Sequence, residues 1–297
     1  LTPIALILLI SSTFLHAAWN LIAKGNGKNN FETFKIAIIA GSFLLLPVML
    51  VNVKIFSYLD LKSIVIILIA GFFQFLYYYS LNRSYSKGDL SLVYPVVRAV
   101  PVILVAFIRV FAFGAELNAL VIAGIILIMA GCLVIPFSRL NRENLGRFAH
   151  TFHIFVIITI IGTTGYTLVD DLGLRHFTQI MPETPAYLRS ICYLFLENLS
   201  SLIWMFLFTS NNGNASLYRE KKSLVNGMKM GFGITITYLL VLISMNYVSD
   251  VSYVAAMRQL SIPIGVIVGF VVLKEPRYFP RILGMILIFG GLLAVSL

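Results

Sequence analysis

Two stretches of this sequence place the same residue types in the same order inside apolar surroundings. DLSLVYPVVRAVP runs from Asp89 to Pro101, and DVSYVAAMRQLSIP from Asp250 to Pro263. Both contain Asp, Ser, Val, Arg and Pro, and their arginines, Arg98 and Arg258, are 160 residues apart. An arginine at the centre of a bilayer costs about 2.5–3.5 kcal/mol on insertion scales. A chain that puts two there must offset that cost. The guanidinium fork grips a carboxylate or phosphate with two parallel hydrogen bonds, so anion binding is the chemistry these residues offer. The structural alternative is a salt bridge, for instance to Glu197, with backbone carbonyls taking other donors. Snorkelling to an interface is a third.

Further polar residues interrupt apolar runs. His16, Trp19 and Asn20 fall within five residues, and His16 and Asn20 share a helix face at i and i+4. They fit substrate contact or interhelical hydrogen bonding; Trp19 also fits packing or interface anchoring. Tyr78, in a run with Tyr77 and Tyr79, and Tyr94, Tyr166, Tyr238 and Tyr253 could line a cavity or form interfacial belts. Glu197 is an isolated carboxylate in an apolar run. It is the first candidate for proton coupling, with partnership to an arginine as the alternative. Asp170 is a second candidate, although Asp170 and Asp171 are expected at the end of a helix, near solvent. Pro95, Pro101 and Pro263 should kink the helices that carry the arginines and free carbonyls there.

Composition says what must position these residues. Of 297 residues, 59% are hydrophobic and 11% charged, against about 25% charged in soluble domains. Ten apolar runs are long enough to span a bilayer, at 3–23, 32–53, 62–82, 90–112, 117–137, 152–172, 185–208, 225–247, 251–273 and 280–297. They are too long for barrel strands. The expected fold is an all-α polytopic membrane protein. The net charge of +10 is scattered between apolar runs, which marks topology rather than nucleic-acid binding. Cys132 and Cys192 form no disulfide or metal pattern. No metal or cofactor is expected.

The opening pair extends into a repeat. Glu116 matches Glu275, Gly124 matches Gly284 and Gly131 matches Gly291, at offsets of 159 or 160. Ten helices then divide into two five-helix repeats, residues 1–150 and 151–297. Five is odd, so the second repeat enters the membrane from the opposite face. Inverted repeats of this kind are common in secondary transporters, with the site near the midplane. Arg98 lies nine residues after Asp89 and Arg258 eight after Asp250. That is about 12–13 Å along a helix, close to the half-thickness of about 15 Å, so both arginines arrive at one depth.

HAAWNLIAK, YPVVRAVP, FGAE with GIILIMAG, RQLS, LKEP and GMILIFGG together resemble the drug/metabolite transporter superfamily, specifically its EamA-type branch. The likeness implies ten helices, a central cavity lined mainly by helices 1, 3, 4, 6, 8 and 9, and helices 5 and 10 at the periphery. It implies transport of amino acids, metabolites, drugs or nucleotide-linked sugars. The second half departs by lacking the Tyr-Pro that precedes Arg98, so the halves are expected to play unequal roles.

The expected activity is secondary transport, by alternating access, of a small anionic or zwitterionic metabolite carrying a carboxylate or phosphate. A flippase or exporter of a lipid-linked or nucleotide-linked anion is the alternative, and a membrane-embedded enzyme or receptor is the reading from a different class. No Ser/His/Asp, HExxH-like or paired-carboxylate set supports an enzyme. No GxxxxGK[ST] loop is present, so a proton or counter-substrate gradient would drive transport. A monomer or homodimer in a cell membrane is expected, the bacterial inner membrane in particular. Orientation stays open. Fifteen basic residues flank one face and five the other, which puts the termini outside, whereas the resemblance puts them in the cytoplasm.

Overall fold

The computed structural model describes residues 2–24, 31–87, 90–138, 153–209, 221–271, 274 and 276–296; within these, residues 17–24, 85–87, 90–92, 94, 95 and 221–223 are described as backbone only. The helices are α1 (Pro3–Lys24), α2 (Phe31–Val51), α3 (Leu61–Lys87), α4 (Leu90–Phe113), α5 (Ala119–Val134), α6 (Ile154–Ile180), α7 (Ala186–Phe208), α8 (Lys221–Met245), α9 (Val251–Met257), α10 (Ser261–Val271) and α11 (Phe279–Ser296). A 3-10 turn, Val53–Tyr58, joins α2 to α3, and another, Arg258–Leu260, joins α9 to α10. The described residues contain no strand.

Eight segments are long and apolar enough to cross a membrane, and Val251–Val271 is one of them despite its break. Pro3–His16 and Ala119–Val134 are shorter apolar helices. A helix suits a bilayer because its backbone groups bond one another where no water can. The surface fits that setting: Ile7, Phe43, Phe107, Phe111, Phe206 and Leu293 are each more than half exposed. A face this apolar belongs against lipid. Polar residues collect inside instead, among them Gln74, Thr167, Asp170, Glu197 and Ser261.

The helices interlock across the two halves. α3 packs against α6 and α7, while α8 packs against α1 and α2. α4 lies on α6 and α5, and α10 lies on α1. α5 and α11 form the closest pair. Glycines make that approach possible. A Cβ on Gly124 would sit 2.7 Å from the Gly291 carbonyl oxygen, and one on Gly131 would sit 2.5 Å from that of Gly284. Larger side chains would drive the two backbones apart.

Two expectations about helices need correction. α6 does not stop near residue 172 but continues to Ile180. Asp170 and Asp171 therefore lie inside the helix, 0% and 2% exposed, and do not cap it in solvent. Their charge is accommodated by partners from other helices, described below. Gly173 does not end the helix because it serves as a packing face: its missing Cβ leaves room for the Tyr193 ring, whose Cε2 would be 2.3 Å away. The second correction is the break between α9 and α10, which replaces one continuous ninth helix. Pro263 supplies no N–H and crowds the preceding turn, and the break falls there, at Arg258–Leu260. α4 runs as one helix through both Pro95 and Pro101, in line with the apolar run 90–112.

Candidate functional site

The helix crossings leave an interior cavity of about 140 Å³. α1 contributes Ser12, Thr13 and His16; α3 contributes Gln74, Tyr77 and Tyr78; α6 contributes Thr163 and Tyr166; α8 contributes Thr237 and Tyr238. Arg98 of α4 and Arg258 and Ser261 from the α9–α10 break complete the polar lining. Phe34 of α2 and several aliphatic side chains supply apolar wall. α5 and α11 contribute no lining residue.

The two arginines are held differently. Arg98 Nη2 donates to the Arg258 carbonyl oxygen at 3.1 Å and to Ser261 Oγ at 2.9 Å. That carbonyl belongs to the short 3-10 turn between α9 and α10. Arg98 Nε is buried with no partner. Arg258 lies with its Cζ 5.5 Å from the centre of the Tyr238 ring and beside Tyr166. An aromatic face attracts a guanidinium without neutralising it. Among the described residues, no carboxylate stands within ion-pairing distance of either arginine.

The alternative reading, a bridge from an arginine to Glu197, is not seen among the described residues. Glu197 Oε1 instead accepts from Gln74 Nε2 at 2.9 Å, and its Oε2 is buried without a partner. Asp170 faces two phenols: Tyr193 donates to Oδ1 at 3.0 Å, and Tyr238 donates to Oδ2 through a very short contact. A chain of edge-on rings joins these groups to the cavity wall, with Tyr77 5.6 Å from Tyr166 and Tyr166 5.8 Å from Tyr238.

Of the residues singled out from sequence, His16, Tyr78, Arg98, Tyr166, Tyr238 and Arg258 thus meet at one cavity. His16 is close enough to both arginines to feel their charge. Tyr253 packs on the hydrophobic core and does not line the cavity. The side chains of Trp19, Asn20 and Tyr94 lie outside the described residues. Sequence reasoning missed Gln74, Ser12, Thr13 and Ser261. Gln74 left a signal, one amide in the apolar run FFQFL; Ser261 is recognisable only once the α9–α10 break brings it to Arg98.

A second polar cluster closes one end of the bundle, where α4 finishes and α9 begins. Arg109 Nε donates to Asp250 Oδ2 at 2.7 Å, and its Nη1 is 3.6 Å from Asp171 Oδ2. Arg175 Nε is 3.0 Å from both oxygens of Asp171, and its Nη2 donates to the Ser249 carbonyl at 2.9 Å. Asp250 also caps α9 by accepting from Ser252 N at 2.8 Å. At the same end, His176 Nε2 contacts Asp60 at 2.9 Å. That contact, with further hydrogen bonds from Ser63, holds the Asp60 carboxyl well below the usual carboxylate range.

Comparison of the sequence adds a likeness over the first part of the chain. Residues 3–137 match the EamA-like transporter family. EamA-like proteins are membrane transporters of the drug/metabolite type rather than enzymes. The match stops at Phe137, just past α5. For the remainder the fold itself speaks: a crystal structure of a protein aligns over 98% of this chain and 97% of its own, at a TM-score of 0.70 and 13% identity. At that identity the likeness is one of fold alone. No curated protein matches the sequence.

Proposed function

We propose that this EamA-like chain is a secondary transporter of a small anionic or zwitterionic metabolite, working by alternating access between two inverted five-helix repeats. One observation carries the substrate class: Arg98 and Arg258 face a common cavity with no carboxylate among the described residues to pair with either. A buried positive pair is costly where the effective dielectric is low. A carboxylate or phosphate would complete it, with Arg98 as the principal contact and Arg258 beside it. His16 and the tyrosines Tyr78, Tyr166 and Tyr238 would orient the rest of the ligand. The cavity of about 140 Å³ suits a small metabolite, since drug-sized ligands occupy about 300–1,000 Å³. That size disfavours a nucleotide-linked or lipid-linked cargo.

The packing supports two repeats of residues 1–150 and 151–297, with α9 and α10 counted as one broken helix. Exchange α1 with α6, α2 with α7, α3 with α8, α4 with α9–α10, and α5 with α11. The α3–α6 contact then becomes α8–α1, α2–α8 becomes α7–α3, and α4–α6 becomes α10–α1, all of which occur. α2–α7 and α5–α11 map onto themselves. The glycines agree: repeat-equivalent Gly124 and Gly284 each meet the other helix's second glycine, Gly291 and Gly131. Two units related by a two-fold axis produce such a pattern.

The test is thermal stabilisation of the purified protein by a panel of amino acids, small carboxylates and inorganic phosphate. Anions should raise the melting temperature of the wild type, and Arg98→Ala and Arg258→Ala should remove that response while remaining monodisperse. If both variants respond like the wild type, the arginines are structural and the site assignment fails.

A further inference from the structure

Besides the imidazole of His16 and the phenols of the lining, Arg98, Arg258, Asp170 and Glu197 lie in the interior near the cavity without touching one another as ion pairs. Two are basic and two acidic. Their ionised charges cancel as a group, so a monoanion entering on the arginines leaves one uncompensated negative charge in a region of low dielectric. Such a charge is expensive. The cheapest remedy is a proton on one of the carboxylates.

The contacts distinguish which carboxylate. Tyr238 touches both systems at once: its ring lies under the Arg258 guanidinium and lines the cavity, while its hydroxyl donates to Asp170. Among the described residues, the hydrogen bond of Glu197 to the cavity wall goes to the amide of Gln74, which carries no titratable proton to relay. We infer that Asp170 is the site of a proton that travels with the anion, and that Tyr238 links the two. The phenol can pass its proton to Oδ2 while taking one from the cavity side, so the carboxyl gains a proton and Tyr238 ends unchanged. Asp170 is faced by Tyr193 and Glu197 from α7, Tyr238 from α8 and Arg258 from the α9–α10 break. Its neighbour Asp171 is taken up by Arg109 and Arg175, which leaves Asp170 as the aspartate of α6 able to change charge without breaking an ion pair.

This inference rests on the anion reading above, and one experiment separates the two. Proteoliposomes are loaded with a pH-sensitive dye, clamped at zero membrane potential and given a radiolabelled mixture of net monoanions (aspartate, glutamate, isethionate and dihydrogen phosphate). With one proton per anion, an acid-outside gradient of one pH unit drives wild-type accumulation to about tenfold, because a factor of ten corresponds to about 1.4 kcal/mol. Asp170→Asn should abolish both dye acidification and accumulation above equilibrium while exchange of labelled for unlabelled anion continues. Tyr238→Phe, the milder variant, should slow dye acidification more than it slows exchange. Accumulation by Asp170→Asn equal to wild type overturns the inference and leaves the anion reading standing. Loss of coupling in Glu197→Gln but not in Tyr238→Phe or Asp170→Asn overturns it in favour of Glu197. Wild-type protein that neither exchanges nor accumulates any of the four overturns both.

Discussion

Arg98 and Arg109 sit on the same helix, eleven residues apart, yet the protein treats them in opposite ways. Arg109 is 13% exposed and meets two aspartates, Asp250 and Asp171, themselves 7% and 2% exposed. Among the described residues, Arg98 meets a carbonyl and a hydroxyl. One arginine has its counter-charge built into the fold. The other keeps its charge and shows it to a cavity. The lesson is that an arginine inside a membrane protein is not by itself a binding residue; what matters is whether an acid already claims it.

The contrast can be broken by deletion. Arg109→Ala should cost the larger share of stability, about 3–5 kcal/mol, because it leaves Asp171 and Asp250 buried with less positive charge. Unfolding in detergent monitored by circular dichroism gives the number. A value under about 1 kcal/mol, typical of an exposed pair, would mean that the cluster is solvated and not a structural tie. Arg98→Ala should do the reverse, leaving stability near wild type but weakening anion binding by about a hundredfold or more. Arg98→Lys should recover little of it, since an ammonium cannot make the bidentate contact. Full recovery by lysine would show that charge alone, not the fork, binds the ligand.

Exchanging charges sharpens the same contrast. Arg109→Asp and Asp250→Arg should each destabilise, and the double reversal should recover part of the loss, with a coupling of about 0.5–3 kcal/mol. Recovery stays incomplete because Asp250 also caps α9 through Ser252 N. Zero coupling would mean that the 2.7 Å contact contributes nothing. The smallest effect belongs to the contact at the same end between half-exposed Asp60 and buried His176. Asp60 is depressed in the folded protein, so its contribution to stability is present above the ordinary carboxylate range near about pH 4 and is lost as the pH falls below it. Asp60→Asn should therefore destabilise slightly at neutral pH, with the difference from wild type shrinking under strong acid. A difference that grows in acid would reverse the sign and reject the assignment.

The two ends of the repeat carry the contrast further. Arg109 has Gly269 at the 160-residue offset that relates Arg98 to Arg258. The second copy of the motif therefore lacks the arginine to build the same ion cluster. Arg98 and Arg258, which do correspond, are also unequal: one grips the broken helix and the other lies on Tyr238. The missing Tyr-Pro before Arg258 was the visible sign of unequal halves, and the position of the α9–α10 break is its structural counterpart.

Several features were legible because each depends on local chemistry. Length and apolarity of the runs marked the spans. The paired arginines, with Tyr166, Tyr238 and His16, marked a cavity, because polar side chains in an apolar helix must turn towards one another. Gln74 and Ser261 were not singled out, since a single amide or hydroxyl in an apolar run has too many possible partners. Asp170 was misplaced for a related reason. Two acids in sequence look like a helix end, and only the arrival of Tyr193, Tyr238 and Arg109 from other parts of the chain, with Arg175 one turn along, lets them stay inside one.

The sequence by itself determined that this is a multi-pass helical membrane protein, that its glycines allow α5 and α11 to meet, and that two arginines lie deep in apolar segments. Those properties follow from hydropathy, side-chain size and spacing along one chain. Which arginine is neutralised, where helix nine breaks and which tyrosine joins Asp170 to the cavity were decided by tertiary structure alone. Burial turns each hydrogen bond and ion pair into a choice among partners distant in sequence, and only packing brings the chosen one within about 3 Å.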